Sequence, residues 1–338
     1  MQDEFYIQRC LELAKQGELG VNPNPMVGCV VVHQGEIVAE GFHQKFGEAH
    51  AEVNALAALP ESIDIKNCEV YVSLEPCSHF GKTPPCADLL VHKHPKRVIV
   101  GMLDSNKQVA GRGIKKLMDA GIDVTLGVEE DACRELNKKF IKAHTTQRPF
   151  VTLKWAETKD GYMGRAAGDT SSAKISDPPN DVFVHRLRAT HQAILVGAGT
   201  VNRDNPKLDV RHISGNNPIK IVLSENGTVN LDASLFSTGT TFLYDNTHAS
   251  ELSISLADYT IDSVLKDLYS KGIHSVLVEG GTAVLKAFLD AKAWDEAIIL
   301  KAEQSWGAGV KAPHVGLKAV SHEKVNTDTI KIFKPIQH

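Results

Sequence analysis

Residues 75–86 read EPCSHFGKTPPC. The stretch follows EVYVSL (69–74), which reads as a strand, and precedes ADLLVHKH (87–94), which reads as a helix. It holds two cysteines, a histidine, a lysine after glycine and two adjacent prolines. Three readings compete for it: a disulfide loop, a phosphate-binding loop and a metal site. The phosphate reading fails at one position, because G-x-x-x-x-G-K-[ST] needs glycine at 76 and Pro76 stands there. The disulfide reading depends on the compartment. The N-terminus, MQDEFYIQRC, lacks the basic and apolar regions of a secretory leader, so a cytoplasmic address is expected. In such a chain Cys10, Cys29, Cys68, Cys77, Cys86 and Cys133 are read as core residues or ligands, not disulfide partners.

The metal reading gains support upstream, where HAE (50–52) lies in the helical pattern AHAEVNALAAL (49–59). His50, Cys77 and Cys86 supply one imidazole and two thiolates, a set that suits tetrahedral Zn²⁺ with a fourth position left for water. Glu52 follows His50 by two residues and is placed to move a proton from water to a leaving amine. Cys86 opens a helix, whose N-terminus is expected to stabilise its thiolate. The alternative is a structural zinc with a fourth protein ligand, for which His79, His43 and Cys68 are the candidates. Lys82, on the loop between the cysteines, is suited to holding a substrate phosphate.

Composition narrows the class. Of 338 residues, 42% are apolar and 23% charged, as in ordinary globular proteins, and no run approaches the ~20 apolar residues of a membrane span. Residues 1–146 carry 16 Lys+Arg against 20 Asp+Glu, and the remainder 21 against 21. Neither half has the basic excess that holds a phosphate backbone, so small molecules are expected as substrates and neither nucleic acid nor membrane as partner. A homo-oligomer is expected.

The length suggests two domains. The polar HTTQRP (144–149) breaks the pattern and divides the chain into 1–146 and 147–338. In the first half, strands alternate with helices, the last spanning DACRELNKKFIKAH (131–144), which implies a mainly parallel, helix-covered sheet. A hairpin across Gln34-Gly35 makes that sheet mixed. The second half repeats the α/β alternation, with strands at FVTLKWA, HQAILVGAG, IKIVLS, TFLYD, HSVLVEGG and DEAIILKA; residues 224–262 are polar and β-prone. Its VGAGTVNRDNP (196–206) and VEGGT (278–282) place glycines between strand and helix, where backbone N–H groups face an anion such as a dinucleotide pyrophosphate. GAGTVN lacks the third glycine of G-x-G-x-x-G, so it is no Rossmann fingerprint, and a turn needing positive φ is the competing reading.

The H-x-E…P-C-x₈-C order is close to the H-x-E…P-C-x-x-C signature of zinc deaminases. With NPNPMVGCVVV (22–32), GFHQKFGEAHAEVNAL (41–56), SLEPCSHFGKTPPC (73–86) and DSNKQVAGRG (104–113), the first half resembles the bifunctional riboflavin-biosynthesis proteins, in which a pyrimidine deaminase is joined to a pyrimidine reductase. The resemblance implies an α/β class with a cytidine-deaminase-like three-layer α/β/α domain, a mixed sheet, and a dihydrofolate-reductase-like α/β domain. It also implies hydrolytic deamination of 2,5-diamino-6-ribosylamino-4(3H)-pyrimidinone 5′-phosphate. His50, Cys77 and Cys86 then hold Zn²⁺, Glu52 shuttles the proton, and Asn24, His43, Lys82, Asp104 and Asn106 contact substrate. In the second half LKWAETKDG (153–161), RATHQAILVGAGTVNRDNPKL and VEGGTAVLKAFL resemble the family's reductase. There the implied reaction is hydride transfer from NADPH to C1′ of the ribosyl group. Lys154, Thr170, Ser176, Arg188, Thr200, Asp204, Arg211, Glu279, Gly280 and Gly281 are the implied substrate and cofactor residues. Lys154 and the arginines would hold phosphate or polar groups, and Asp204 the sugar hydroxyls. The chain departs from the family's Ser-x-Trp-Ile-Thr at SSAKIS (171–176) and from its APKxxG at AEQSWG (302–307). A zinc deaminase with an inactive, ligand-binding second domain is therefore the alternative.

Overall fold

The computed structural model describes every residue except 1, 81–83, 106–109, 167, 226, 248–249 and 336–338. The chain divides into two compact units, Met1–Gln147 and Arg148–His338.

The first unit runs α1 (Gln2–Lys15), β1 (Gly28–His33), β2 (Glu36–Phe42), α2 (Ala51–Ala57), β3 (Glu69–Leu74), α3 (Cys86–Lys93), β4 (Arg97–Met102), α4 (Arg112–Asp119), β5 (Asp123–Leu126), α5 (Glu130–Leu136) and α6 (Lys138–Thr146). Its strands are ordered β2-β1-β3-β4-β5. β1 pairs antiparallel with both β2 and β3, whereas β3–β4 and β4–β5 are parallel. The sheet is thus mixed, with half its pairings antiparallel instead of the mainly parallel set expected. Successive side chains of a strand point to opposite faces, so each apolar run serves two layers. Cys29, Val31, Val70, Val72, Val98 and Val100 pack with Ala51, Leu90 and Leu117 of the helices α2, α3 and α4. The alternate residues Val30, Tyr71 and Ile99 pack with Tyr6, Ile7 and Cys10 of α1 and Cys133 of α5.

The single helix expected over 131–144 is two helices. Asn137 breaks it at φ −103° and ψ 20°. Its buried amide accepts the Met26 N–H at 2.8 Å and donates to the Met26 carbonyl at 2.9 Å, pairing with that residue as a neighbouring strand would. Two hydrogen bonds to the part-buried main chain of Met26 outweigh helix continuity here.

The second unit contains β6 (Phe150–Glu157), β7 (Tyr162–Gly164), α7 (Asp181–Ala189), β8 (Ala193–Gly197), α8 (Ala198–Asp204), β9 (Ile219–Ser224), β10 (Thr241–Asp245), β11 (Ser253–Ile254), α9 (Ile261–Ser270), β12 (Ser275–Gly280), α10 (Thr282–Asp290), β13 (Glu296–Lys301), β14 (Val310–Lys311), β15 (Ser321–Val325) and β16 (Asp328–Phe333). A nine-stranded sheet is ordered β11-β10-β9-β8-β12-β6-β13-β16-β15, and β7 pairs separately with β14. Its pairings are parallel except at β13–β16 and β15–β16. One face packs Val151, Leu153, Val276 and Val278 with Leu265, Leu268, Leu285 and Phe288 of α9 and α10. The other buries Ile194, Val196, Val222 and Leu277 with Val201 of α8. The central strands end side by side at Glu157, Gly197 and Gly280, which opens the crevice such sheets offer at their carboxyl edge. Among the described residues, no helix is long and apolar enough to cross a membrane.

Candidate active sites

In the first unit three separate elements deliver the expected ligands. His50 is the N-cap of α2, Cys77 follows β3, and Cys86 is the first residue of α3. The His50 Nδ1 atom lies 3.5 Å from Cys77 Sγ and 3.4 Å from Cys86 Sγ. All three donor atoms fall within 4.8 Å of one another. Tetrahedral Zn²⁺, with bonds of about 2.3 Å to sulfur and 2.0 Å to nitrogen, requires N···S edges of ~3.5 Å. The donor set therefore fits zinc in both chemistry and spacing.

The eight-residue excursion between the cysteines closes through main chain, because Ala87 N–H donates to the Cys77 carbonyl at 3.1 Å. Cys86 stands at the N-terminus of α3, as expected. The Cys86 N–H points at Cys77 Sγ, 3.3 Å away. Hydrogen bonding from the Cys86 thiol, with help from His50 and that N–H, holds the Cys77 thiol well below its ordinary range, while the Cys86 thiol is pushed up.

The three candidates for a fourth ligand lie outside the donor cluster. His43 is buried with its ring edge-on to His50, 5.2 Å between centroids. Its Nδ1 faces the Ala49 carbonyl and its Nε2 the Asn24 amide, each at 3.1 Å, which engages both nitrogens. Burial lowers its pKa, consistent with a neutral ring. Cys68 points elsewhere, toward His33 and the Asp64 carbonyl. His79 lines the cavity in front of the cluster without joining it.

That cavity has a volume of about 340 Å³. Glu52 reaches it from the first turn of α2, only 3% exposed, and burial, then the negative charge of Cys77, raises its pKa to about 7. Asn24, His43 and Asp104 of the expected substrate contacts line the same cavity. Lys82 and Asn106 lie outside the described residues. The lining residues not anticipated from sequence include Phe140 and His144 of α6, whose rings lie 4.1 Å apart. Their i, i+4 spacing is visible in sequence, but the turn that aims them inward depends on Asn137 and Met26.

In the second unit Lys154, Thr200, Asp204, Glu279 and Gly281 line a cavity of about 170 Å³, joined by Trp155, Met163, Ala173 and Ile175. Arg188 sits beside it, not on the solvated surface. Its Nε and Nη2 donate to the two Glu279 carboxylate oxygens at 3.0 and 2.7 Å, and both side chains are nearly buried. Burial opposes ionisation of Glu279, yet Lys154 and Arg188 hold its carboxyl down at about 2. Burial lowers the Lys154 pKa against the pull of Glu279. Thr200 Oγ1 is buried without a hydrogen-bond partner among the described residues, and a Cβ added to Gly281 would lie 3.1 Å from it. An unpartnered hydroxyl facing a side-chain-free helix N-terminus fits a polar cofactor group, as NADPH would supply. Gly280 precedes it at φ +117°.

Five expected residues do not line this cavity: Arg188 and Gly280 adjoin its lining residues, and the other three lie further off. Thr170 is exposed, and Arg211 is half exposed, paired with Asp209. Ser176 instead lines a neighbouring groove with Gln304 and Asp328. Along SSAKIS, Ala173 lines the cavity, Lys174 and Ser176 line the groove, and Ile175 lines both.

Residues 1–102 match the family described as "Cytidine and deoxycytidylate deaminase zinc-binding region", and residues 149–331 match "RibD C-terminal domain". The chain is similar to riboflavin biosynthesis protein RibD of Aquifex aeolicus, 36% identical over 98% of both chains, and of Escherichia coli K12, 38% identical over 92% of this chain and 90% of the other. RibD of Acinetobacter baumannii (form 1) superposes with a TM-score of 0.90 at 32% identity, covering 99% of both chains. A Thermotoga maritima diaminohydroxyphosphoribosylaminopyrimidine deaminase/5-amino-6-(5-phosphoribosylamino)uracil reductase does so at 0.90 and 36%, with 99% coverage of both. With both halves matched and relatives aligned end to end, the chain belongs to the RibD family of riboflavin-biosynthesis proteins.

Proposed function

We propose that this chain catalyses two successive steps of riboflavin biosynthesis. The first unit deaminates 2,5-diamino-6-ribosylamino-4(3H)-pyrimidinone 5′-phosphate, and the second reduces the ribosyl group of 5-amino-6-(5-phosphoribosylamino)uracil to ribityl with NADPH. The observation that carries the reading is the His50–Cys77–Cys86 donor cluster with Glu52 in the lining of the same cavity.

Zn²⁺ held by His50, Cys77 and Cys86 supplies the Lewis acidity that makes water a nucleophile near neutral pH. The protein does the rest. Glu52 takes a proton at its carboxylate and returns one to the departing amine, so that water adds and ammonia leaves. The neutral His43, fixed by Asn24 and the Ala49 carbonyl, gives the pyrimidine a rigid ring to lie against. Phe140 and His144 supply an aromatic wall for the ring. Lys82 and Asn106 complete the substrate contacts in this reading, with Lys82 on the phosphate.

In the second unit Thr200, Gly280 and Gly281 hold the cofactor, and Asp204 binds sugar hydroxyls. Lys154 and the Arg188–Glu279 pair set a fixed charge pattern beside the substrate, whereas Thr170, Ser176 and Arg211 lie off the cavity wall and take no part in these contacts. Hydride passes to C1′ and the ring oxygen leaves as a hydroxyl once protonated; positioning carries most of that step. We extend the reading to a cytoplasmic homo-oligomer, whose assembly light scattering tests.

A two-step assay decides the function. Without NADPH the diaminopyrimidine substrate should yield only the deaminated product, at a rate that tracks zinc content. With NADPH, cofactor oxidation should follow. Intact deamination without any NADPH oxidation on the deaminated intermediate would make the second unit a ligand-binding domain.

A further inference from the structure

Glu75 stands between the last residue of β3 and the Pro76–Cys77 that opens the metal loop. It is 3% exposed. Its carboxylate accepts four backbone N–H groups from one later segment. Oε2 takes Asp104 N–H at 3.1 Å and Gly111 N–H at 2.9 Å; Oε1 takes Gly113 N–H at 2.9 Å and Ile114 N–H at 3.4 Å. Gly111 is the N-cap of α4 and offers no side chain to its unsatisfied donors. Glu75 therefore caps α4 from another part of the chain, where a carboxylate also meets the positive end of the helix.

The same contact fixes a distance. A Cβ on Gly113 would collide with the Pro76 carbonyl oxygen, so only glycine lets α4 approach the metal loop this closely. Oε2 ties Asp104, which lines the deaminase cavity, to a residue two positions from the metal ligand Cys77. Glu75 lines the cavity as well, but its oxygens are turned to main chain.

We propose that Glu75 is a positioning residue of the deamination reaction, holding Asp104 at a set place relative to the metal ligands. The proposal rests on reading the first unit as a deaminase. The carboxylate reads backbone donors, so the amide of Glu75→Gln keeps one acceptor oxygen and turns an NH₂ toward donors, while preserving volume.

The test compares full-length wild type, Glu75→Gln, Asp104→Asn and the double variant for zinc content, deamination kinetics, and NADPH oxidation on the deaminated intermediate. Glu75→Gln should keep wild-type zinc and reductase activity while its deamination KM rises roughly tenfold with little change in kcat, as loss of a buried acceptor and of ground-state positioning predicts. The double variant should match Asp104→Asn alone, because the two residues act as one. An unchanged KM, full additivity, or zinc lost with activity would each overturn the proposal. Should Glu75→Gln fail to fold, Gly113→Ala disturbs the same clamp with the carboxylate intact, and an unchanged KM there overturns it equally. Wild-type protein that holds zinc and does not deaminate would sink the deaminase reading itself. An unaltered Glu75→Gln in active protein sinks only the positioning role.

Discussion

Glu52 reaches the first cavity without belonging to the donor cluster, so its two possible roles separate cleanly. Glu52→Gln should retain zinc and lose deamination by about 10²–10⁴-fold, the usual contribution of a positioned acid–base group. Metal analysis beside the assay checks it; zinc loss would make Glu52 a ligand. In the second unit titration is expected to register as stability. Burial, then Arg188 and Arg211, lowers His185 from its ordinary 6.5 to about 4, and its Nδ1 accepts the Arg211 N–H. A depressed pKa means that the unfolded chain binds the proton first, so stability falls as pH drops from 6.5 toward 4. Glu279, held at about 2 against an ordinary 4.5, continues the loss below pH 4.5. Melting temperature measured against pH should slope accordingly, and His185→Asn should flatten the upper part. The grouping of His50, Cys77 and Cys86 was legible because their spacing is itself chemistry. The role of Arg188 was not, because only folding reveals that its charge faces Glu279.

At the scale of elements, the break between α5 and α6 decides whether the cavity has its aromatic wall. Asn137→Ala removes both hydrogen bonds to Met26, leaves part-buried main chain unsatisfied, and favours one continuous helix. We expect a loss of roughly 2 kcal/mol or more in stability and a raised deamination KM, read by denaturant unfolding and kinetics. Unchanged stability would show that solvent replaces the amide. The sequence reading ran through this break because KKFIKAH continues a good helical pattern, and the competing partner lies 111 residues away. The strands of the sheet interiors, by contrast, were visible as apolar runs. The hairpin of β15 and β16 went unread, since SHEKV is mostly exposed and its polarity resembles a loop. The division of SSAKIS between cavity and groove was equally hidden, as an irregular segment has no fixed phase until something packs on it.

At the scale of the molecule, each unit has its own core clusters and its own cavity. Stripping zinc with a chelator should abolish deamination while NADPH oxidation on the deaminated intermediate persists, and added zinc should restore the first activity. Parallel loss of both would show that the second unit depends on the metal.

The distance between Asn137 and Met26 has a consequence for synthesis. As the chain leaves the ribosome, its metal ligands are complete at Cys86, the partners of Glu75 emerge by Ile114, and the wall from α6 arrives last. Domains form as their chain becomes available, N-terminal parts first. A nascent chain thus carries its full donor set some fifty residues of translation before the wall from α6 is made.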